Sequence, residues 1–429
     1  MEVELAVLAM LVAGYALIAA RLDRLSIGPA LAFLAIGILL ADDVLGPISI
    51  APEAGPVKVL AEATLTLLLF ADASTIRTRA LERDAAPVAR LLLIGLPLTI
   101  LLGILAAVVL FPGLPVGLAL LISATLAPTD AALGHAVVTN QAVPARIRRL
   151  LNVESGLNDG IATPFVILGL ALTAAESSGS GLIMDALSEL AIGLVVGIAI
   201  GYAGGSLLRL ADGKGWTSAV SRQLFVLALA GSCYLVAVAT GGNGFIAAFI
   251  GGLAFGRGAR GVEGDAVRFT EIQGSVLAIG VWIAFGLTVA GRMVSELWDP
   301  AAIAYAVLSL TVIRMVPVAI SLSRLGFRPS TVVFIGWFGP RGLASIVFLI
   351  VGLEGLVDAG VDPGPFGAVV AWTVVLSVIV HGLSAGPLAA RYARLVADLA
   401  PTSPELDDEA EPHPSRVHWS GGIRPGSSL

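Results

Sequence analysis

Charge is scarce in this chain. Asp, Glu, Lys and Arg make up 13% of its 429 residues, about half the share in an ordinary soluble domain. That shortage excludes a solvated globular enzyme of this length. Cysteine is almost absent: Cys233 stands alone in an apolar run, which excludes an intrachain disulfide framework. No GxxxxGK[ST] loop occurs, so neither ATP-driven pumping nor a nucleotide partner is expected. HExxH, GxSxG and the paired motif of intramembrane aspartyl enzymes are missing too, so no catalytic residue, cofactor or nucleic-acid partner is assigned.

Apolar sequence fills the space. Hydrophobic residues make up 57% of the chain, with 50 glycines, and the mean hydropathy is +0.94. A spanning helix needs roughly 20 apolar residues. Thirteen candidate spans follow, at about 3–20, 25–42, 57–74, 87–110, 115–138, 147–174, 182–208, 222–240, 243–256, 267–291, 301–323, 331–354 and 366–388. The eighth and ninth nearly fuse. Arg21 and Arg24 follow the first run rather than precede it, which reads as a retained span and not a cleaved leader.

Loop charges test this count. Among loop cations between Arg21 and Arg394, only Lys58 and Arg292 fall on one side, beside the acids Asp43, Glu53, Glu296, Asp299, Asp358 and Asp362. The rest, including Arg146, Arg148 and Arg149, fall on the other. The positive side is expected to be cytoplasmic, in an inner membrane, with the N-terminus outside and the C-terminus inside. The expected organisation is a transmembrane domain over 1–396 and an acidic, disordered cytoplasmic tail over 397–429, rich in Pro, Ser and Gly.

A charge at the bilayer centre costs on the order of 3 kcal/mol on insertion scales, so those that persist line a pathway or form a pair. Here they are Glu62 and Asp72 in the third span, Asp130 in the fifth, Glu154 and Asp159 in the sixth, Arg314 in the eleventh and Arg341 in the twelfth. Arg90 is near enough to an end to snorkel. Residues four apart share a helix face, so Glu154 aligns with Asn158, and Ser155 with Asp159. Simple ion bridges between helices are one reading of this stripe. Yet two arginines cannot neutralise four or five acids, and a carboxylate left over can alternate between a proton and a metal cation.

The fifth span contains Ala127-Pro128-Thr129-Asp130, and the twelfth contains Gly339-Pro340-Arg341-Gly342. Pro128 and Pro340 remove backbone donors and break their helices. Ordinary kinks are the plain alternative. Broken helices at matching places in two halves point instead to an inverted-repeat transporter with its site at the midplane. The repeats are expected over about 1–174 and 222–390, with 182–208 as a linker helix.

At these residues the sequence resembles the NhaP/NHE branch of the cation:proton antiporters. The most specific match is Glu154-Ser155-Gly156-Leu157-Asn158-Asp159, the ESxxND signature. Leu69-Phe70-Ala71-Asp72 and the two broken-span motifs support it. The resemblance runs from about 5 to 390. It implies the all-α NhaA/NhaP-like fold, with two broken helices crossing, and a homodimer. It implies that Asp159 alternates between cation and proton, that Ser155 and Thr129 add oxygen ligands for sodium, and that Asp72 lies near the site. Asp130 would balance the helix ends, Glu154 would pair with Arg314 in preference to Arg341, and Arg341 would stabilise the crossing. Asn158, where the electrogenic branch has Asp, implies one cation per proton. The sequence departs from many relatives at Ala131-Ala132, where they place Pro after the Asp, and from some at Asp72, where they have Glu.

The expected activity is exchange of Na⁺ or Li⁺ for H⁺ by alternating access, the two competing for Asp159. A K⁺/H⁺ exchanger is the alternative, since cavity size sets selectivity. An ion channel fits less well, because channels repeat a filter by oligomeric symmetry. His135 and His381 read as satisfied or water-facing histidines, Glu62 as a funnel or interface residue and Asn243 as a turn residue. Trp282, Trp298, Trp337 and Trp372 read as lipid-facing or interfacial.

Overall fold

A computed structural model describes residues 2–24, 27–41, 55–75, 84–130, 133, 137, 140–178, 181–288, 298–397, 399 and 403–406. His135, Ala131, Ala132, Asp43, Glu53, Arg292 and Glu296, and the tail beyond 406, lie outside the described residues. The elements are α1 (Glu2–Arg24), α2 (Pro29–Leu40), α3 (Gly55–Thr75), α4 (Ala85–Leu110), α5 (Val116–Leu126), α6 (Ala145–Ser178) and α7 (Gly181–Gly213). Then come α8 (Ala219–Ala239), α9 (Gly244–Gly258), α10 (Glu263–Thr288), α11 (Pro300–Leu322), α12 (Pro329–Trp337), α13 (Leu343–Asp358) and α14 (Phe366–Val396). They follow the thirteen expected spans, with α12 and α13 the two halves of the twelfth. Seven of them, α4, α6, α7, α8, α10, α11 and α14, are long and apolar enough to cross a membrane.

Local chemistry sets several boundaries. The eighth and ninth spans separate because Asn243 caps α9, its side chain accepting from the Ile246 N–H. Ser218 and Ser221 form a reciprocal capping box at the start of α8. In α4, Pro97 has no N–H to return to Leu93, and the ladder widens into a π turn at Leu91–Gly95. In α11 the Thr311 hydroxyl bonds the Val307 carbonyl, and Thr311 leaves helical geometry at φ −119°, ψ −94°.

The helices sort into two bundles. The first holds α1, α2, α3, α7, α8, α9 and α10, and the second holds α4, α5, α6, α11, α12, α13 and α14. They meet where α3 lies against α6 and α13, α9 against α6, α10 against α13, and α2 against α14. Glycine governs the first bundle. Gly193, Gly197, Gly201 and Gly205 form one stripe of α7, and an added Cβ would lie 2.6, 2.7, 2.1 and 2.6 Å from backbone oxygens of α9 and its cap. On α9, Gly252 and Gly256 meet the α3 carbonyls of Phe70 and Ser74 in the same way. Lipid tails remove the hydrophobic drive between helices, so close backbone packing of this kind must hold them together.

Two expectations change. Trp282 is 5% exposed and packs edge-on against Phe285, inside the protein rather than against lipid. Residues 403–406 also depart from a structureless tail. Pro404–Leu406 form a 3₁₀ turn, and Glu405 is 1% exposed. Its carboxylate accepts from the Arg328 N–H and the Thr331 hydroxyl, at 2.9 and 3.0 Å, which offsets its burial.

Candidate functional site

The two helix breaks lie against each other in the second bundle. α5 stops because Pro128 has no N–H for the Ala124 carbonyl, which takes the Ala127 N–H instead at 3.4 Å. α12 ends at Trp337 ahead of Pro340, and α13 starts at Leu343. The Asp130 N–H donates to the Pro340 carbonyl at 2.8 Å, which ties one break to the other. Gly342 sits at the crossing, where an added Cβ would lie 2.2 Å from Asp130 Oδ2.

Each loose helix end is met by a charge of opposite sign to its dipole. At the C-terminus of α5, Arg341 Nη1 donates to the Ala127 and Pro128 carbonyls at 3.2 and 3.3 Å. The same nitrogen reaches its own Gly339 carbonyl at 3.2 Å, beyond the end of α12, and Nη2 reaches the Ser309 carbonyl at 3.4 Å. At the N-terminus of α13, Asp130 Oδ2 accepts from the Leu343 N–H at 3.0 Å. Ser345 takes the Thr125 carbonyl at 2.8 Å. Arg341 is fully buried and Asp130 is 3% exposed.

Glu154 of α6 and Arg314 of α11 form a two-pronged pair, Nη1 to Oε1 at 2.6 Å and Nη2 to Oε2 at 2.9 Å. Both are buried. The break at Thr311 stands one turn before Arg314. Gly339 leaves room for the guanidinium: an added Cβ there would be 2.3 Å from Arg314 Nε. Arg341 is thus engaged by carbonyls and Arg314 by Glu154.

Beside this pair runs a chain of neutral oxygens. The Thr129 and Ser155 hydroxyls are 3.0 Å apart, and Asn158 Nδ2 donates to Thr129 Oγ1 at 2.7 Å. With its nitrogen so held, Asn158 leaves its carbonyl Oδ1 buried and without a hydrogen bond among the described residues. Asp159 follows directly on α6, one turn beyond Ser155 and 4% exposed. Asp72 is 5% exposed and faces this turn from α3, since a Cβ on Gly156 would meet its own at 3.6 Å. The structure therefore gathers Asp159, Ser155, Asn158, Thr129 and Asp72 where the two bundles meet. Asp130 and Arg341 lie at the crossing, and Glu154 lies with Arg314.

The other singled-out residues fall elsewhere. Glu62 is 3.9 Å from Lys58, which pairs with Glu354 of α13 at 2.7 Å. His381 is buried, with Nδ1 3.2 Å from the Ser377 hydroxyl that receives the Arg341 N–H. Ser309, Ser345 and Ser377 escaped the sequence reading. A serine in an apolar run gives no sign that its partner is a broken helix far along the chain.

These features define a multi-pass membrane protein whose buried, oxygen-lined site is built on two interrupted spans. Residues 7–391 match the profile of the family described as "Sodium/hydrogen exchanger, transmembrane", and the chain belongs to that family. It is similar to Na(+)/H(+) antiporter 2 of Zygosaccharomyces rouxii, 30% identical over 56% of this chain and 31% of that protein. It is also similar to the K(+)/H(+) antiporter NhaP2 of Shewanella oneidensis, 26% identical over 90% of this chain and 66% of that one. The chain thus spans about a third of the length of its Zygosaccharomyces rouxii and Saccharomyces cerevisiae relatives. Its fold is that of the sodium proton antiporter MjNhaP1 from Methanocaldococcus jannaschii, with TM-score 0.73 and 21% identity over 92% of this chain and all of the other.

Proposed function

We propose that this chain is a secondary antiporter that exchanges Na⁺ or Li⁺ for H⁺, with both competing for Asp159. One observation carries the reading. Asp159 is buried beside the Asn158–Thr129–Ser155 oxygens, while the charge of Glu154 is met by Arg314. A buried carboxylate must be compensated by a proton, a cation or a hydrogen-bond partner. Hydroxyl, amide and carboxylate oxygens are the ligands a hard cation takes. Proton and cation exclude each other on one carboxylate, so exchange needs no separate coupling device, and either gradient drives the other. Asn158 supplies a neutral amide where a second acid would add charge, which makes the exchange one for one. The site lies between the bundles, where rocking of one against the other would expose it alternately to each side.

The loop charges favour a cytoplasmic-membrane orientation with the N-terminus outside and the C-terminus inside, and the family resemblance implies a homodimer. The experiment uses liposomes with a trapped pH dye and an imposed pH gradient, to which Na⁺, Li⁺, K⁺ or choline is added. Wild type is expected to dissipate the gradient with Na⁺ or Li⁺, and Asp159→Asn is expected to do nothing. A response to K⁺ above all others would establish the alternative exchange, which the name of the Shewanella relative favours. Silence with every cation from about pH 5 to 9, in correctly inserted protein, would end the antiporter reading.

A further inference from the structure

Away from the ion site, the end of the molecule that carries Pro404–Leu406 holds a cavity of about 550 Å³. Gln141, Ala142 and Arg148 line one side, and Ala393, Val396 and Leu406 line the other. Arg148 is the unusual member. It is only 8% exposed, and its Nε is held by the Val143 carbonyl at 3.0 Å. Its two terminal nitrogens make no hydrogen bond among the described residues and are not among the fully buried polar atoms, so the fork opens into the cavity. A guanidinium fork that opens into a cavity offers two parallel donors to an anion.

Among the described residues the neighbouring charges do not fill it. Asp84 is taken by two other arginines, Arg146 Nε at 2.8 Å and Arg149 Nε at 2.6 Å. Glu405 adjoins the cavity in sequence, but its carboxylate turns away to the Arg328 N–H and Thr331. Arg146 and Arg149 of α6 thus both engage Asp84, and Arg148 between them takes no part in that pairing. The opposite wall, from α14 and Leu406, is apolar.

We propose that this cavity binds a phosphate-bearing anion, held by the fork of Arg148 with its apolar part against Ala393 and Val396. Planar two-nitrogen recognition of phosphate is what a guanidinium does best. An acidic phospholipid headgroup and a small soluble phosphate share this chemistry. Basic pockets between helices at the cytoplasmic side are where acidic headgroups bind, so the lipid source rests on the proposed orientation.

Binding is read on the full chain by native mass spectrometry in neutral detergent, with phosphatidylglycerol and inorganic phosphate as separate probes. Arg148→Gln is expected to weaken one probe about tenfold or more, while Arg257→Gln, on exposed α9 surface, leaves both unchanged. Loss confined to phosphatidylglycerol identifies a lipid headgroup, and loss of inorganic phosphate identifies a soluble ligand. Ala393→Leu keeps every charge and narrows the apolar side of the cavity, so it should weaken binding in the same direction, and it decides the matter if Arg148→Gln fails to fold. Wild-type binding of both probes by Ala393→Leu, or losses no larger than those of Arg257→Gln, overturns the site. The readout needs no transport, so it stands or falls separately from antiport.

Discussion

The two helix bundles both pack glycine against backbone, the second at Gly117 and Gly169 between α5 and α6, but they differ at their centres. In the first, α7, α9 and α3 approach until only hydrogen fits at Gly193, Gly197, Gly201, Gly205, Gly252 and Gly256. Contact there is backbone on backbone, uncharged and closely spaced. In the second, the central contacts are buried charges and broken helix ends: Glu154 with Arg314, Arg341 with the α5 carbonyls, and Asp130 with the start of α13. Packed backbone makes a rigid support. Buried polar groups are costly where imperfectly satisfied and are kept where a site needs them. Under the proposed function the difference fits a division of labour in which the first bundle is the frame and the second carries most of the ion site.

Five substitutions test that division, beginning with the largest expected effect. Asp159→Asn should reduce cation-driven proton exchange to background, about a hundredfold or more, with an unchanged elution profile and melting curve. A matching loss of fold would make Asp159 a structural residue and erase the contrast. Arg314→Ala should destabilise the second bundle by about 3–5 kcal/mol, because it strands a buried Glu154. Thermal melting checks this, and adding Glu154→Gln should recover part of the loss.

Gly201→Val should cost about 1–3 kcal/mol through overpacking against Gly251. Transport per folded molecule should persist, measured as initial rate against protein that survives size exclusion. Gly231→Ala makes the contrast finer, since nothing lies within 4 Å of its added Cβ. It should be neutral, or stabilise by up to about 1 kcal/mol through helix propensity. Ser155→Ala should be the mildest change at the ion site. It removes one oxygen, raising the apparent KM for the cation by about tenfold or less, while Asp159 keeps the maximal rate near wild type. A collapse of kcat instead would move Ser155 from ligand to positioning residue.

Much of this was legible because membranes simplify the code. The thirteen apolar runs all became helices, and Pro128 and Pro340 marked two of their interruptions. The glycine stripe at 193, 197, 201 and 205 was visible as four-residue spacing in the sequence, yet it was read only as composition. Its meaning depends on α9 presenting Gly251 and Ala247 to it. Trp282 was misplaced because a tryptophan in an apolar run looks the same toward lipid as toward protein. Glu405 was read into an unstructured tail, since nothing local announces the Arg328 and Thr331 partners that hold it.

By itself the sequence determined the spans, their breaks and the short roster of charges inside them, because apolar length, proline and ionisable groups act locally and each carries its own energetic signature in a bilayer. Only the tertiary structure decided the partners. Whether Glu154 meets Arg314 or Arg341, which carbonyls Arg341 caps, that Asn158 turns its amide to Thr129, and that Arg148 opens into a cavity all depend on positions where distant helices cross. Charge and hydrogen bonding act over a few ångströms of space, and spacing along the chain does not fix that distance.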